Sequence, residues 1–199
     1  MKQTILQRWR ITPEELTAVV DGNPSLRGMM LGYVAEMKLS ALLLSDGRIT
    51  AIRKPDDHDR RKKGDLVVTY RNRACKIESK SLQTNSIRRL DKDRFAGQVQ
   101  CDASDSRTVA LPNGRRLQTT CLLVGEFDIL AANLFAFEEK WHFTFALNRD
   151  LPRSSFREYT KYQRSNLLAS LVPVTWPPEP PFVSDPFALL DRLLEDRSR

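Results

Sequence analysis

Histidine and paired cysteines, which supply the ligands of most zinc sites, are scarce in this sequence. The chain has two histidines, His58 and His142, and three cysteines, Cys75, Cys101 and Cys121, with no CxxC pair among them. A structural zinc site, or a nuclease that binds its metal through histidine, is therefore not expected. Three widely spaced cysteines, an odd number, are typical of reduced core residues in a cytoplasmic protein.

Long apolar runs are also lacking. No stretch of eighteen apolar residues occurs, and the N-terminus has no apolar stretch of the kind found in signal peptides. We therefore expect a cytoplasmic protein without a membrane contact. The 199 residues are enough for one domain with a sizeable core. We place an α/β domain at residues 1–171 and a proline-rich arm with a short helix at 172–199.

Acidic residues are fewer than basic ones. The chain has 25 Asp and Glu against 32 Lys and Arg, a formal net charge of +7 and a pI of about 9.5. An excess of positive charge favours a polyanionic partner, and DNA is the partner that we expect.

Two groups of basic residues are candidates for phosphate contacts. The first is the run at 60–63, which fits either a solvated loop or a segment that lies along a phosphate backbone. The second recurs at about four-residue spacing around 154–171, a stretch with a helical pattern. It fits a phosphate-binding face and an ordinary surface helix equally well. The candidate DNA-binding residues are Arg60, Arg61, Lys62, Lys63, Arg153, Arg157, Lys161 and Arg164.

The stretch 64–80 carries the most specific pattern in the chain. Residues 66–70 and 74–79 have the composition of two strands, and a two-residue turn at Asn72-Arg73 would pair Val67 with Glu78. Because side chains alternate along a strand, Asp65, Glu78 and Lys80 then share one face of the hairpin. The other face is apolar and is expected to lie on the core.

Two carboxylates and one ammonium group at a single place suit divalent-metal chemistry on phosphodiesters. Carboxylate oxygens are preferred ligands of Mg²⁺, and a neighbouring lysine can position a water or offset charge on a phosphate. The alternative is a set of surface charges that form weak ion pairs. Glu126 and Asp128 also stand at strand spacing, but no lysine follows them, and we interpret them as structural.

These residues resemble the motif of the PD-(D/E)xK nuclease superfamily, with Asp65 as the first acid and Glu78-Ser79-Lys80 as the ExK segment. The resemblance covers roughly 24–135. It implies a restriction-endonuclease-like fold, with a mixed central sheet flanked by helices. It also implies that Asp65, Glu78 and the main-chain carbonyl of Ser79 bind Mg²⁺, for which Mn²⁺ can substitute, while Lys80 assists the attacking water. No proline precedes Asp65, and we interpret the upstream Pro55-Asp56 pair as a decoy.

Many members of that superfamily carry a further acid on the preceding helix, and Glu36 is its counterpart here. Pro24 suits the start of a helix and Gly47 its end, which predicts a helix over about 24–45. The alternative for Glu36 is an exposed carboxylate paired with a nearby Lys or Arg. An apolar stripe at helical spacing is predicted to face the core. It consists of Leu26, Met30, Tyr33, Met37, Ala41 and Leu44.

The C-terminal part has a different character. Six prolines between 173 and 186 indicate an extended arm, and Ser184-Asp185-Pro186 suits the start of a short amphipathic helix. The leucines of that helix need a partner surface on the same chain or on another subunit. They are Leu189, Leu190, Leu193 and Leu194.

The sequence thus predicts a Mg²⁺-dependent endonuclease that acts on DNA, in restriction or defence if it follows the superfamily. A homodimer is compatible with this, since cutting both strands usually takes two active sites. Two alternatives stay open. One is a non-catalytic nucleic-acid-binding protein that keeps the nuclease fold, and the other is an assembly protein that docks through its proline-rich arm and terminal helix.

Overall fold

The computed structural model describes residues 3–55 and 64–196, so Arg60, Arg61, Lys62 and Lys63 lie outside the described residues. The described helices are α1 (Ile5–Trp9), α2 (Pro13–Asp21), α3 (Pro24–Leu44), α4 (Phe135–Glu138), α5 (Lys161–Asn166) and α6 (Pro186–Asp196). The described strands are β1 (Ile49–Arg53), β2 (Leu66–Tyr70), β3 (Arg73–Ser81), β4 (Arg88–Asp91), β5 (Arg94–Gln100), β6 (Asp102–Ala110), β7 (Arg116–Cys121), β8 (Ile129–Asn133), β9 (Phe143–Leu147) and β10 (Leu171–Trp176). No helix of the described part combines the length and apolar character needed to cross a membrane.

A five-stranded mixed sheet forms the centre, in the order β1-β2-β3-β8-β9. Its strands pair antiparallel except for β3 and β8, which run parallel. Parallel neighbours need a crossover connection, and here the crossover contains β4–β7. The predicted α/β class with a mixed central sheet and flanking helices is confirmed.

Each face of this sheet is covered by a different layer. One face packs on α3 and α6, with a core that includes Ile77 and Phe145. The other face packs on a second sheet with the strand order β10-β5-β4, and its core includes Val99 and Leu130. Strands β8 and β9 contribute to both cores and are buried along their whole length.

The β2–β3 hairpin forms as predicted, but its register differs. The two-residue turn is Arg71-Asn72, and both residues have positive φ, 45° and 63°. A turn with positive φ at both central positions matches the twist of a hairpin. Leu66 therefore pairs with Ile77 and Val67 with Lys76, where the sequence predicted Val67 opposite Glu78.

The register error amounts to two residues and so leaves every side chain on its predicted face. The predicted apolar face is buried in the core between the sheet and its helices. Its members Leu66, Val68, Tyr70, Cys75 and Ile77 are each at most 2% exposed.

The sequence assigned several other elements correctly. Thr12 and Glu15 form the capping box that opens α2, because each side chain accepts a hydrogen bond from the other residue's backbone N–H. Helix α3 spans almost the predicted range. Strands β6 and β7 flank the turn at 112–114, with Gly114 at φ 78°.

The apolar stripe on α3 does not face the core, so this prediction is wrong. Ala35, Leu39 and Leu43 are the residues that pack on the sheet, whereas Tyr33 is 49% and Met37 59% exposed. With 3.6 residues per turn, the stripe lies on the opposite side of the helix from Ala35.

The predicted basic helix around 154–171 is also wrong in extent. Only α5 is helical, and Thr160 caps it through a capping box with Gln163. Before α5, Arg153 forms an isolated β-bridge with Leu168 and Arg157 lies in a turn. The four basic residues therefore do not form one helical face.

The proline-rich segment packs against the rest of the protein. Strand β10 pairs with β5 along six residues, and Val183 exchanges two backbone hydrogen bonds with Phe145 of β9. Helix α6 then places Leu189, Leu190 and Leu193 in the core beneath the sheet. The partner surface of the terminal helix is therefore provided by the same chain.

Candidate active site

Asp65 stands immediately before β2, and the backbone of β3 fixes the direction of its side chain. The N–H of Ser79 donates a hydrogen bond of 2.7 Å to Asp65 Oδ2. Gly64, the residue before, has φ 85°, and a Cβ there would lie 3.2 Å from Lys76 Cβ. Glycine is therefore required at this position both for its conformation and for the close approach of the two strands.

Glu78 is almost fully buried, with 9% of its surface exposed. Burial, and next the negative charge of Asp65, raise the pKa of the Glu78 carboxyl to about 7. The nearby Lys80 ammonium acts in the opposite direction but does not cancel these two effects. Two carboxyl groups are thus held close together in a low-dielectric place, an arrangement that a positive ion would stabilise.

Lys80 follows on the same face of β3. Its Nζ lies 3.0 Å from Glu78 Oε1, and its side chain is 23% exposed. Burial disfavours the charged amine, but the charges of Glu78 and Asp65 outweigh burial, so the pKa of Lys80 lies above its ordinary value. Lys80 therefore carries a positive charge at neutral pH and is not available as a base.

The structure thus brings together Asp65, Ser79, Glu78 and Lys80, as the sequence predicted for these four. In the corrected register, the Ser79 N–H holds Asp65 next to Glu78, where the predicted pairing placed Asp65 opposite Lys80. The predicted grouping is unaffected by the register error, because both registers place the Asp65, Glu78 and Lys80 side chains on one face.

Glu36 occupies a different setting. Its Oε2 lies 2.6 Å from Lys54 Nζ, and it lines a cavity of about 370 Å³ between α3, β1 and Leu66, the residue that follows Asp65. Within the described residues, no group of three or more His, Cys, Asp or Glu side chains is arranged to hold a metal ion. The described contacts therefore do not gather Glu36 with Asp65 and Glu78, and its role in the site stays a prediction.

Glu126 and Asp128 make structural hydrogen bonds, in keeping with the interpretation from the sequence. Both carboxylate oxygens of Glu126 accept hydrogen bonds from Arg107, at 2.5 and 2.6 Å, and the Leu123 N–H donates a third. Asp128 Oδ2 accepts the backbone N–H of Lys76 at 2.7 Å. These bonds connect the segment before β8 to β3 and β6.

Two residues near the site were not recognised in the sequence. Arg107 has a raised pKa, above all because it is hydrogen-bonded to Glu126 and also because of the charge of Glu78. Cys101 is buried, and burial raises the pKa of its thiol to about 12, so it remains a neutral thiol beside Lys80 and Glu78. No motif indicated either residue, because both come from the crossover between β3 and β8, which only the tertiary fold brings near β3.

The second group of basic residues is dispersed. Arg153 donates to the backbone carbonyls of Leu151 and Arg149 and is committed to that turn. Lys161 begins α5 and Arg164 lies in its last turn. The predicted contacts of these residues with DNA stay predictions, now without a common helical face.

Comparisons with known proteins give limited information. No family model matches this sequence, and no curated protein sequence matches it significantly. Among solved structures, the chain is similar to a bacterial homing endonuclease, I-Ssp6803I, with 16% sequence identity and a TM-score of 0.36. The match covers 72% of this chain and 87% of the endonuclease. At this level of similarity, the site geometry alone must support a function.

Proposed function

We propose that this protein is a Mg²⁺-dependent nuclease that hydrolyses phosphodiester bonds in DNA. One observation carries the proposal. A buried Glu78, with its pKa raised by burial and by Asp65, lies beside a charged Lys80 on a central strand of the sheet. Burying Glu78 beside the half-buried Asp65 is costly unless a cation lies between them, so a site of this composition is better explained by metal binding than by stability.

The donors in this arrangement suit Mg²⁺. Asp65 and Glu78 supply carboxylate oxygens, which hard cations prefer, and the resemblance to the PD-(D/E)xK enzymes adds the main-chain carbonyl of Ser79. The ion would lower the pKa of a coordinated water and offset negative charge on the phosphate.

The residues of the chain have distinct roles in this proposal. The Ser79 N–H keeps the Asp65 carboxylate oriented, which reduces the entropy lost on binding a ligand. Lys80 remains protonated, so it acts by holding a water or a phosphate oxygen and by stabilising negative charge. Glu36 is assigned a supporting role in the water network or at a second ion, as the superfamily resemblance implies.

DNA as the substrate is supported by the charge of the chain. A net charge of +7 attracts a polyanion, and Lys80 adds a positive charge at the site itself. A role in restriction or defence belongs to the same proposal and comes from the superfamily resemblance.

The direct test is incubation of the purified protein with plasmid, linear and single-stranded DNA in Mg²⁺, Mn²⁺ or EDTA. We expect cleavage with either metal and none in EDTA. Glu78→Gln and Lys80→Ala should each lower the rate at least about 100-fold while leaving the folded structure intact. Lys76→Ala is the matched control, because it removes an exposed lysine from the same strand and should keep most of the activity.

Two results would contradict the proposal. One is cleavage by Glu78→Gln or Lys80→Ala at the wild-type rate. The other is DNA binding without cleavage on any substrate in any metal, which would favour the non-catalytic nucleic-acid-binding protein instead. Glu36→Gln, measured in the same series, decides whether this residue takes part.

A further inference from the structure

The segment 154–166 presents two aromatic rings at the protein surface. Phe156 is 52% and Tyr162 42% exposed. The Phe156 ring packs against Tyr159 in a T-shaped arrangement, with 5.0 Å between the ring centroids. Phe156 is therefore fixed by a neighbouring ring and still has about half of its surface open to solvent.

The backbone that carries these rings is held by hydrogen bonds. The Tyr159 N–H donates to the Phe156 carbonyl at 3.2 Å, and Thr160 then starts α5, which carries Tyr162, with a capping box. The Tyr159 hydroxyl lies 2.7 Å from Thr119 Oγ1 on β7, which ties this turn to the antiparallel pair β6–β7. Rings on a preordered backbone lose little conformational freedom when a ligand binds.

Basic residues accompany the rings. Residues 153–164 contain four basic side chains and one acid. Arg157 and Lys161 are exposed, and Arg164 is half-buried in the last turn of α5, while Arg153 donates to backbone carbonyls. Proteins bind single-stranded nucleic acids with this combination, because bases stack on aromatic rings and phosphates contact the cations.

Two sets of contacts place this surface beside the candidate active site. The first runs through the pair β6–β7, where Thr119 is the strand partner of Arg107. The Arg107 guanidinium donates hydrogen bonds of 2.5 and 2.6 Å to the two carboxylate oxygens of Glu126. The second runs through the Val124 N–H, which donates to the carbonyl of Asn166, the last residue of α5, at 3.0 Å. Both sets lead to the segment before β8.

That segment continues into β8, the strand beside Glu78. The N–H of Asp128 donates to the carbonyl of Lys76 at 2.9 Å, and Leu130 is the parallel-strand partner of Glu78. Val124 and Leu130 are six residues apart, and six residues span at most about 22 Å. The end of α5 therefore lies within reach of a DNA strand that is bound at Glu78.

We propose that Phe156 and Tyr162 stack on bases of an unpaired DNA strand while Arg157, Lys161 and Arg164 contact its phosphates. In a duplex the bases stack on each other and show only their edges in the grooves, whereas an unpaired base offers a face to a ring. The inference rests on the proposed function for the identity of the polyanion. It assigns to that function a substrate with a single-stranded part, such as an overhang, a fork or a loop.

The test measures binding in EDTA, where the proposed cleavage does not occur, so its readout is independent of nuclease activity. Fluorescence anisotropy with the full-length protein compares a single strand of about 20 nucleotides, longer than one typical binding site, with the duplex of the same sequence. We expect tighter binding of the single strand. Phe156→Ala and Tyr162→Ala should each weaken this binding at least about fivefold, because one stacking contact is lost. Duplex binding, which depends on the cations, should stay within about twofold of the wild type.

Further variants separate stacking from other effects. Phe156→Trp keeps a ring and should retain single-strand binding, whereas Phe156→Leu keeps an apolar side chain without a ring and should weaken it as alanine does. Arg157→Ala with Lys161→Ala should weaken binding of the single strand and of the duplex alike, and should make both less dependent on salt. Trp9→Ala is the matched control and should bind as the wild type does, since Trp9 is 61% exposed and lies between two arginines, but on α1.

A second measurement does not depend on the folding of any variant. A single strand with iodouracil in place of thymine, crosslinked to the wild-type protein by ultraviolet light, should attach to peptides that contain Phe156 or Tyr162. Three results would overturn the proposal: single-strand binding no tighter than duplex binding, wild-type single-strand binding by both alanine variants, and crosslinks confined to other parts of the chain. Tight single-strand binding with the expected losses, but without cleavage in any metal, would support this inference and reject the proposed nuclease.

Discussion

Helices α3 and α6 both carry an apolar stripe, but only the stripe on α6 lies in the core. The stripe on α3 was expected in the core and is exposed, while the leucines of α6, expected to pack on the same chain or on another subunit, are buried under the sheet of the same chain. The difference lies in the rest of each helix. Helix α3 has apolar residues on two sides, and only Ala35, Leu39 and Leu43 reach the sheet. Helix α6 has one apolar side, and the sheet covers it. Periodicity identifies an apolar face, but it does not identify what the face packs against.

Removing large side chains from both helices tests most directly which of their apolar faces contribute to the core. Leu190→Ala, on α6, and Leu39→Ala, on the buried side of α3, should each lower the free energy of unfolding by about 2–5 kcal/mol, because they leave cavities in the core. Met37→Ala should change it by less than about 0.5 kcal/mol, because the Met37 side chain is 59% exposed. Urea unfolding measures all three variants. A large loss of stability for Met37→Ala would show that the stripe is packed after all.

A second prediction concerns the polar contacts that hold α6. The buried Tyr70 hydroxyl donates a hydrogen bond of 2.7 Å to Asp191 Oδ1, and the side chains of Arg48 and Arg71 lie 3.6 and 3.4 Å from the same carboxylate. Asp191→Ala leaves these groups with fewer partners and should cost about 1–3 kcal/mol in the free energy of unfolding. Glu195→Ala, an exposed residue of the same helix, is the control and should cost almost nothing. Equal losses for the two variants would show that this contact does not hold α6.

The third prediction concerns Glu78 on β3, the strand that lies between the core under α6 and the candidate site. The pKa of Glu78 is about 7 in the folded protein against 4.5 for an ordinary glutamate, so the folded state binds more protons than the unfolded state between these values. The free energy of unfolding of the metal-free protein should therefore fall as pH rises from about 4.5 through 7 and then level off. Thermal unfolding in EDTA at pH 5.5 and pH 8 measures the fall. Glu78→Gln should flatten this dependence. An unchanged slope in that variant would show that other titratable groups cause the loss of stability with rising pH.

The smallest effects are expected from removing the N-cap side chains of two helices, α6, which packs in the core, and α2, which does not. Asp185 Oδ1 accepts the N–H of Phe187 at the start of α6, and Thr12 caps α2. Asp185→Ala should cost about 1 kcal/mol in global stability, since α6 unfolds with the core. Thr12→Ala should increase hydrogen exchange within α2 and leave global unfolding unchanged, because in the described structure α2 buries none of its residues. Exchange that rises in the sheet as well would show that α2 is coupled to the core.

The sequence predicted the hairpin and the grouping of Asp65, Glu78 and Lys80, because the alternation of polar and apolar residues survives a register error of two. It did not predict the turn, because Arg71 adopts a positive φ that an arginine seldom takes. Around 154–171, tertiary pairing overrides a helical pattern, since Leu168 pairs with Arg153 and Leu123 with Leu167. The environment that raises the pKa of Glu78 could not be predicted either, because burial by distant strands has no local signature.

The parallel pairing of β3 with β8 has a consequence for the order in which the molecule can form. Ile77 to Ser81 gain one of their two neighbours only from Ile129 to Asn133, on the far side of the crossover. A ribosome that adds roughly 5–20 residues per second needs several seconds to synthesise that intervening stretch. During this delay Glu78 and Lys80 lie on an open strand edge in water, where neither side chain is desolvated. A nascent chain therefore emerges without the electrostatic environment of the finished site.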